Sequence, residues 1–299
     1  MHYTGTVWRP PYEAASLLIE VTAGCTHHKC KFCTLYDDLP FQFRMSPLQD
    51  VEADLLEAQM ELRLWRRRPV KRVYLVGANP FVLQFGRLAK IAALIRQYFP
   101  ECETIGCFAR VTDVTQKTAD ELQKLRGLGY DGLTIGVETG DDTALDFMRK
   151  GYGAQEIVTQ AQRLDAAGMR YNFFYLTGIS GAGRGAEGAR KSAEIFNQTH
   201  PQIIGASMLT IFPESALYQE IQQGNWQEEG ELEKLAEVKV LIERLEIPVY
   251  FAMLGASNAI PVEGTLPQDR RAMLDTLQQA CNPGNEAALR AYRTKLRHL

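Results

Sequence analysis

The chain has 299 residues, 45% of them hydrophobic and 23% charged, with a formal net charge of -3. That composition supports one large α/β domain or two smaller ones and excludes fibrous and disordered classes. The charge gives no global field for nucleic acid or an anionic membrane, and neither a signal peptide nor an apolar run of membrane-spanning length is present, so the expected location is cytoplasmic.

Residues 1–15 carry Trp8, Pro10, Pro11 and Tyr12 and read as an irregular leader. Ser16-Leu17-Leu18-Ile19-Glu20-Val21 follows as a first strand, and it leads directly into Gly24-Cys25-Thr26-His27-His28-Lys29-Cys30-Lys31-Phe32-Cys33. A helix start is marked at Ser46-Pro47-Leu48-Gln49, with Ser46 as cap, Pro47 in the first helical position and Gln49 reaching back. Its apolar side is Leu48, Val51, Leu55, Leu56 and Leu62, and it ends near Trp65. The cationic stretch Arg63, Arg66, Arg67, Arg68, Lys71 and Arg72 reads as a solvated helix end opposing the helix dipole, with an RNA-binding patch as the competing reading.

Strands are then expected over 72–76, 104–109, 132–137, 171–176 and 203–211, with helices over 86–99, 118–128, 141–167 and 186–197. The third of these helices is interrupted at Gly151-Tyr152-Gly153. Strands separated by helices need crossover connections, which favour a parallel sheet. Six such βα units fill residues 16–230, so the expected fold is α/β: a partial (β/α)6 barrel with parallel strands. A C-terminal α/β extension over 231–299 is expected to pack on that core. It should contain a polar helix over 231–246, a strand over 247–254, an irregular segment over 255–267 and two further helices. In such folds chemistry gathers at the carboxyl ends of the strands.

Three thiolates from one loop suit a soft metal. A four-iron cluster on Cys25, Cys30 and Cys33 has one iron left open, whereas zinc would take His27 or His28 as its fourth ligand. Cys102, Cys107 and Cys281 are dispersed and expected to be reduced thiols. Cys107 reads as a buried inert cysteine, with a thiol donating a hydrogen atom into the barrel interior as the competing reading, and Tyr175 poses the same question.

With this loop after a first strand, the chain resembles the radical SAM superfamily, and a second signature narrows the resemblance. Ile135-Gly136-Val137-Glu138-Thr139-Gly140-Asp141-Asp142, followed by Leu145 and Arg149-Lys150-Gly151, resembles the fourth-strand motif of the Elp3/MiaB-like branch. One departure is local: four residues separate Cys25 from Cys30, where the family commonly has three. The resemblance implies a [4Fe-4S] cluster on Cys25, Cys30 and Cys33, with S-adenosylmethionine (SAM) bound through its amino and carboxylate groups at the open iron. Reductive cleavage of SAM then yields a 5′-deoxyadenosyl radical that abstracts a hydrogen atom. It further implies that Gly77-Ala78-Asn79 receives the SAM amino group through backbone carbonyls, that Arg110 pairs with its carboxylate, and that Glu138 and Thr139 help fix SAM. A salt bridge from Glu138 to a cation such as Arg110 is the alternative for that carboxylate. Gly178 stands in the fifth-strand glycine segment, whose continuation to Gly185 is expected to be a mobile rim loop. Phe212 stands where apolar residues flank the adenine, with a core position as its alternative.

The expected activity is therefore radical SAM chemistry on a small molecule, with a flavodoxin- or ferredoxin-like electron donor and nucleic acid an unlikely partner. Two alternatives stand beside it: a noncatalytic zinc or iron-sulfur module, and an RNA-modifying radical SAM enzyme using the Arg66 to Arg72 patch. Ser257 and Asn258 are candidates to meet the substrate, or else part of an exposed connector.

Overall fold

The computed structural model describes residues 1–64 and 69–296. They fall into two compact units: Met1–His28 with Leu35–Gly136 and Arg163–Tyr171, and Lys29–Thr34 with Val137–Gln162 and Asn172–Leu299. Eight strands make a mostly parallel sheet flanked by helices, so the α/β expectation holds.

In the first unit the leader holds one 3-10 turn, Pro11–Glu13. Strand β1 (Leu17–Glu20) is followed by β2 (Thr22–Gly24) and β3 (Phe43–Met45), a short antiparallel hairpin that the sequence reading does not anticipate. Helix α1 runs Leu48–Leu64. Its first bond joins the Val51 N–H to the Pro47 carbonyl, so Pro47 stands just before the helix rather than inside it. Val51 and Leu55 are buried, but Leu56, expected on the same side, is exposed. Trp65, Arg66, Arg67 and Arg68 lie outside the described residues.

Strand β4 (Arg72–Val76), helix α2 (Phe85–Tyr98) and strand β5 (Thr104–Ala109) match their expected positions to within a residue. Helix α3 (Val111–Thr115) is an unexpected single turn, and α4 (Ala119–Gly127) starts at a capping box in which Thr118 Oγ1 accepts from the Glu121 N–H. The sheet order here is β1-β4-β5-β6, all parallel, with β6 at Leu133–Glu138. Arg72 is not a surface cation: it forks onto Glu13 and donates to Thr104 and the carbonyls of Asp131 and Gly132. Its side chain closes the amino-terminal side of these strands, which removes it from the proposed RNA patch.

The second unit contains α5 (Asp142–Phe147) and most of α6 (Ala154–Ala166), separated at the expected glycine break. Strand β7 (Tyr171–Thr177), α7 (Gly185–Phe196), β8 (Ile203–Met208), α8 (Ala216–Gln222) and α9 (Glu231–Arg244) follow. Strand β9 (Val249–Met253) pairs in parallel with β8, and β10 (Val262–Leu266) pairs antiparallel with β9. The segment expected to be irregular over 255–267 therefore contains a strand. Asn258 in that segment is buried: it accepts from the Met208 N–H at 2.9 Å and donates to the Ala206 carbonyl at 3.0 Å. Its amide thus serves the end of β8. Helices α10 (Arg270–Ala280) and α11 (Glu286–Arg293) complete the described chain. Among the described residues, no helix is long and apolar enough to cross a membrane.

Candidate active site

The cysteine loop is fixed at its start by the β2–β3 hairpin, because the Cys25 N–H donates to the Gln42 carbonyl at 2.9 Å. The next residue, Thr26, is held by Asn79: the Asn79 amide donates to Thr26 Oγ1 at 2.8 Å and to both carboxylate oxygens of Asp113 at 3.1 Å. Asn79 is fully buried. A fully buried amide keeps its place only with its hydrogen bonds made, so this side chain locks the loop to α3. Burial raises the Asp113 carboxyl to about 6, against the lowering effects of the Arg110 N–H and the Asn79 amide. Arg110 itself ends β5 half-buried, with its guanidinium donating to Thr112 Oγ1.

Gly77 follows β4 with φ 132°, and a Cβ there would lie 2.0 Å from Thr22 Oγ1 and 2.5 Å from the Thr22 carbonyl oxygen. Only glycine lets β2 approach this closely. Thr22 Oγ1 is buried and has no hydrogen-bond partner among the described residues. An orphaned acceptor beside a glycine turn fits an ammonium group, and three thiols in one loop fit a soft cluster.

The later half of the loop belongs to the second unit. The Cys33 N–H donates to the Cys30 carbonyl at 3.2 Å, forming a turn. Lys31 is gripped through its backbone: its N–H donates to the Met148 carbonyl, and its own carbonyl accepts from the Leu217 N–H. Its Nζ lies 2.7 Å from Glu220 Oε1 and 3.8 Å from the Phe147 ring centroid.

Glu138, at the carboxyl end of β6, has φ 63°, an uncommon conformation for a non-glycine residue. The cation that meets it is Lys150, Nζ to Oε1 at 2.9 Å, and both side chains are buried. Burial works against the Lys150 charge, but the adjacent Glu138 carboxylate overrides it and raises the pKa above the ordinary value. The same ammonium lies 5.8 Å from the Phe32 ring centroid. Thr139 and Gly140 face another way. Thr139 Oγ1 is 3.0 Å from Ser192 Oγ, and a Cβ on Gly140 would stand 2.7 Å from Ser192 Cα. These two residues seat α7 against the strand end.

Gly178 donates its N–H to Glu237 Oε2 at 2.7 Å, and Tyr175 donates its hydroxyl to Oε1 of the same carboxylate. Ala182 and Gly183 donate to the Gln227 carbonyl and to Glu233. The loop expected to be a mobile rim is thus pinned at three backbone N–H groups, and Tyr175 is turned toward α9. Phe212 is half-buried in the turn between β8 and α8. Cys107 is fully buried, and desolvation pushes its thiol well up, so it stays protonated.

Lys150, Asn79 and Lys31 acquire structural partners that spacing does not disclose. Lys150 stands in the quoted signature without an assigned role; the signal available for it is the buried carboxylate of Glu138, which requires a cation. Among the described residues, no three His, Cys, Asp or Glu side chains gather closely enough to hold a single metal ion. His28, one of the two candidate zinc ligands, has its Nε2 2.9 Å from Asp37 Oδ1.

The chain is 23% identical over 286 residues to the tRNA-2-methylthio-N(6)-dimethylallyladenosine synthase of Bordetella petrii, covering 89% of this chain and 54% of that protein. Its counterpart in Bordetella pertussis is 22% identical over 285 residues, covering 89% and 58%. The chain therefore spans about half the length of the curated relatives it matches. Among solved structures, the radical S-adenosylmethionine methyltransferase TsrM of Kitasatospora setae aligns with a TM-score of 0.56 at 15% identity, over 70% of this chain and 39% of that one. Elp3 of Methanocaldococcus infernus gives 0.51 at 13% identity, over 68% and 53%. Methylornithine synthase gives 0.53 at 14% identity, over 93% and 85%. At these identities the likeness is one of fold. The family model of the radical SAM superfamily matches residues 19–184, more than half of the chain. The chain belongs to that superfamily, and its cofactors are a [4Fe-4S] cluster and S-adenosylmethionine.

Proposed function

We propose that this radical SAM enzyme acts on a nucleoside of RNA. One observation carries the reading: relatives named for tRNA modification align over 89% of the chain, well beyond the 19–184 stretch of the family model. That alignment favours the RNA alternative over the small-molecule substrate read from the sequence, and it removes the reason for setting nucleic acid aside. Of the basic patch, Arg72 is used internally, and Arg66, Arg67 and Arg68 lie outside the described residues.

Cys25, Cys30 and Cys33 are the residues to hold the cluster. Bound there, the cluster supplies the electron that splits the sulfonium of SAM. The chain's own work is positioning. Asn79 fixes the loop beside Cys25, and Lys31 fixes it between Cys30 and Cys33. The carbonyls of Gly77 and Ala78 and the Thr22 hydroxyl offer acceptors for the SAM ammonium. Arg110 is the proposed partner of its carboxylate, and Glu138 with Lys150 adds a second pair of opposite charges at a strand end. Thr139 and Gly178 hold the walls, and Phe212 covers the adenine. In this reading, residues 1–15 are a leader, 16–230 the catalytic core and 231–299 an extension packed on it. The enzyme works in the cytoplasm with a flavodoxin- or ferredoxin-like reductant.

The test is anaerobic reconstitution with iron and sulfide, reduction in the presence of SAM, and mass analysis of the products with and without bulk tRNA. Wild type should yield 5′-deoxyadenosine and, with tRNA, a nucleoside of altered mass; Cys30→Ala should yield neither. Failure to form 5′-deoxyadenosine on an intact cluster sinks the enzymatic reading. Its formation with no RNA-dependent product sinks the RNA reading alone.

A further inference from the structure

The second unit contains a cleft of about 240 Å³ that the proposed site does not use. It is lined by Phe147, Ser180, Arg184, Asn225, Trp226 and Gln227, among others. Phe147 and Trp226 each pack against the core cluster of Met148, Leu176, Ile179, Leu209 and Leu217, so the two rings are braced from behind. Asn225 and Gln227 flank Trp226 in sequence and bring two amides to the rim. The Asn225 Nδ2 group is held by Glu220 at 2.9 Å and by Gln223 at 3.1 Å, which fixes the orientation of its carbonyl oxygen. Arg184 is 45% exposed and anchored 3.2 Å from Asp141, a carboxylate it shares with Lys191 at 2.9 Å. Lys191 also lies 3.7 Å from Glu187, and the half-exposed Arg184 guanidinium is the cation that lines the cleft. Ser180 is 5% exposed, and its hydroxyl has no hydrogen-bond partner among the described residues.

Braced aromatic rings, the fixed Asn225 amide with that of Gln227 beside it, and a half-exposed guanidinium form a set that matches one ligand chemistry. A base stacks on the rings, the amides meet its edge, and the guanidinium takes a phosphate. The volume is of the size of a single nucleoside. The location adds a second constraint, because the Phe147 ring that lines the cleft also lies 3.8 Å from the Nζ of Lys31, between Cys30 and Cys33. We infer that this cleft holds an unpaired nucleotide of the RNA substrate, one that flanks the nucleotide undergoing reaction. The inference rests on the RNA reading above and assigns recognition to Trp226 and Arg184, which take no part in holding SAM.

The test is fluorescence-anisotropy titration of the reconstituted full-length protein with 5′-labelled single-stranded hexaadenylate RNA at several salt concentrations. Loss of one stacking ring in Trp226→Ala should raise Kd about tenfold, while Trp226→Phe stays near wild type. Arg184→Gln should weaken binding and reduce the slope of log Kd against log salt by about 0.7, the share of one phosphate contact on a single strand. Both variants should still form 5′-deoxyadenosine without RNA, which shows that they fold and bind SAM. Wild-type affinity and salt slope in Trp226→Ala and Arg184→Gln, with RNA bound and modified by the parent protein, overturn the cleft and leave the RNA reading standing. A parent protein that neither binds nor modifies RNA overturns both.

Discussion

Asp113 shows how one buried side chain ties loop geometry to pH. It is 1% exposed, receives the Arg110 N–H at 2.8 Å and supports Asn79, which in turn holds Thr26 next to Cys25. Burial raises its carboxyl from 3.8 to about 6, so the fold prefers the protonated form. Stability from this group is complete below the unfolded value and is lost as pH rises through about 6. A shift of this size corresponds to about 3 kcal/mol between acid and neutral pH. Asp113→Asn should remove that slope. Urea unfolding at pH 4.5 and 7.5 measures it, and a variant whose two midpoints differ as much as those of wild type refutes the assignment. The sequence does disclose part of this residue-scale picture: Glu138 at the end of a buried run has to find a cation. It does not disclose which one, because Lys150 reaches Glu138 by way of α5 and the turn after it, a geometry no spacing rule contains.

At the scale of elements, β4 and β5 were legible because both are short, mostly buried runs bounded by turn residues. Strand β10 was not, although Val262, Gly264 and Leu266 are buried while Glu263 and Thr265 are exposed. A glycine at its centre and prolines on both sides mask that alternation. The β2–β3 hairpin was hidden for another reason: its strands are three residues each and are joined by the cysteine loop, so no hydrophobic period marks them. Yet this hairpin sets Cys25, and Gly77 is what lets β2 lie against the end of β4. Gly77→Ala should therefore cost about 1–3 kcal/mol through backbone strain, with further loss from the collision with the Thr22 carbonyl. Gly86→Ala is the control: it stands in α2 with nothing within 4 Å of a new Cβ, and should stabilise by about 0.4–1 kcal/mol. Chemical denaturation of the two variants gives the comparison, and equal midpoints would remove Gly77 from its structural role.

For the whole molecule, the question is how far the last seventy or so residues belong to the machinery rather than hang from it. Contacts group Asn172–Leu299 with Val137–Gln162, so α9, β9, β10, α10 and α11 share a unit with β7 and β8. The tie is ionic and buried. Arg293, 6% exposed on α11, donates through Nε to Glu231 at 3.2 Å and through its guanidinium nitrogens to the carbonyls of Ser257 and Leu209. Leu209 directly follows β8, so the end of the described chain holds the strand end from which the proposed adenine-covering segment departs. Around this arginine, Glu231 also meets Arg290 at 3.3 Å and Lys234 at 3.5 Å, and Lys234 is fully buried. Removing one partner from such a network leaves a buried carboxylate with less compensation and two carbonyls without a donor. Arg293→Met should lower stability by about 3–5 kcal/mol, the range for breaking a buried ion pair. Arg293→Lys, which keeps the charge but loses the planar fork, should recover part of the stability and little of the hold on both carbonyls. Two measurements separate the roles of charge and fork: the thermal midpoint, and KM for SAM in the deoxyadenosine assay. A midpoint near wild type with raised KM in Arg293→Lys identifies the fork as the device that sets the end of β8. Wild-type values of both quantities in Arg293→Met would show that the extension contributes nothing to the site through this contact.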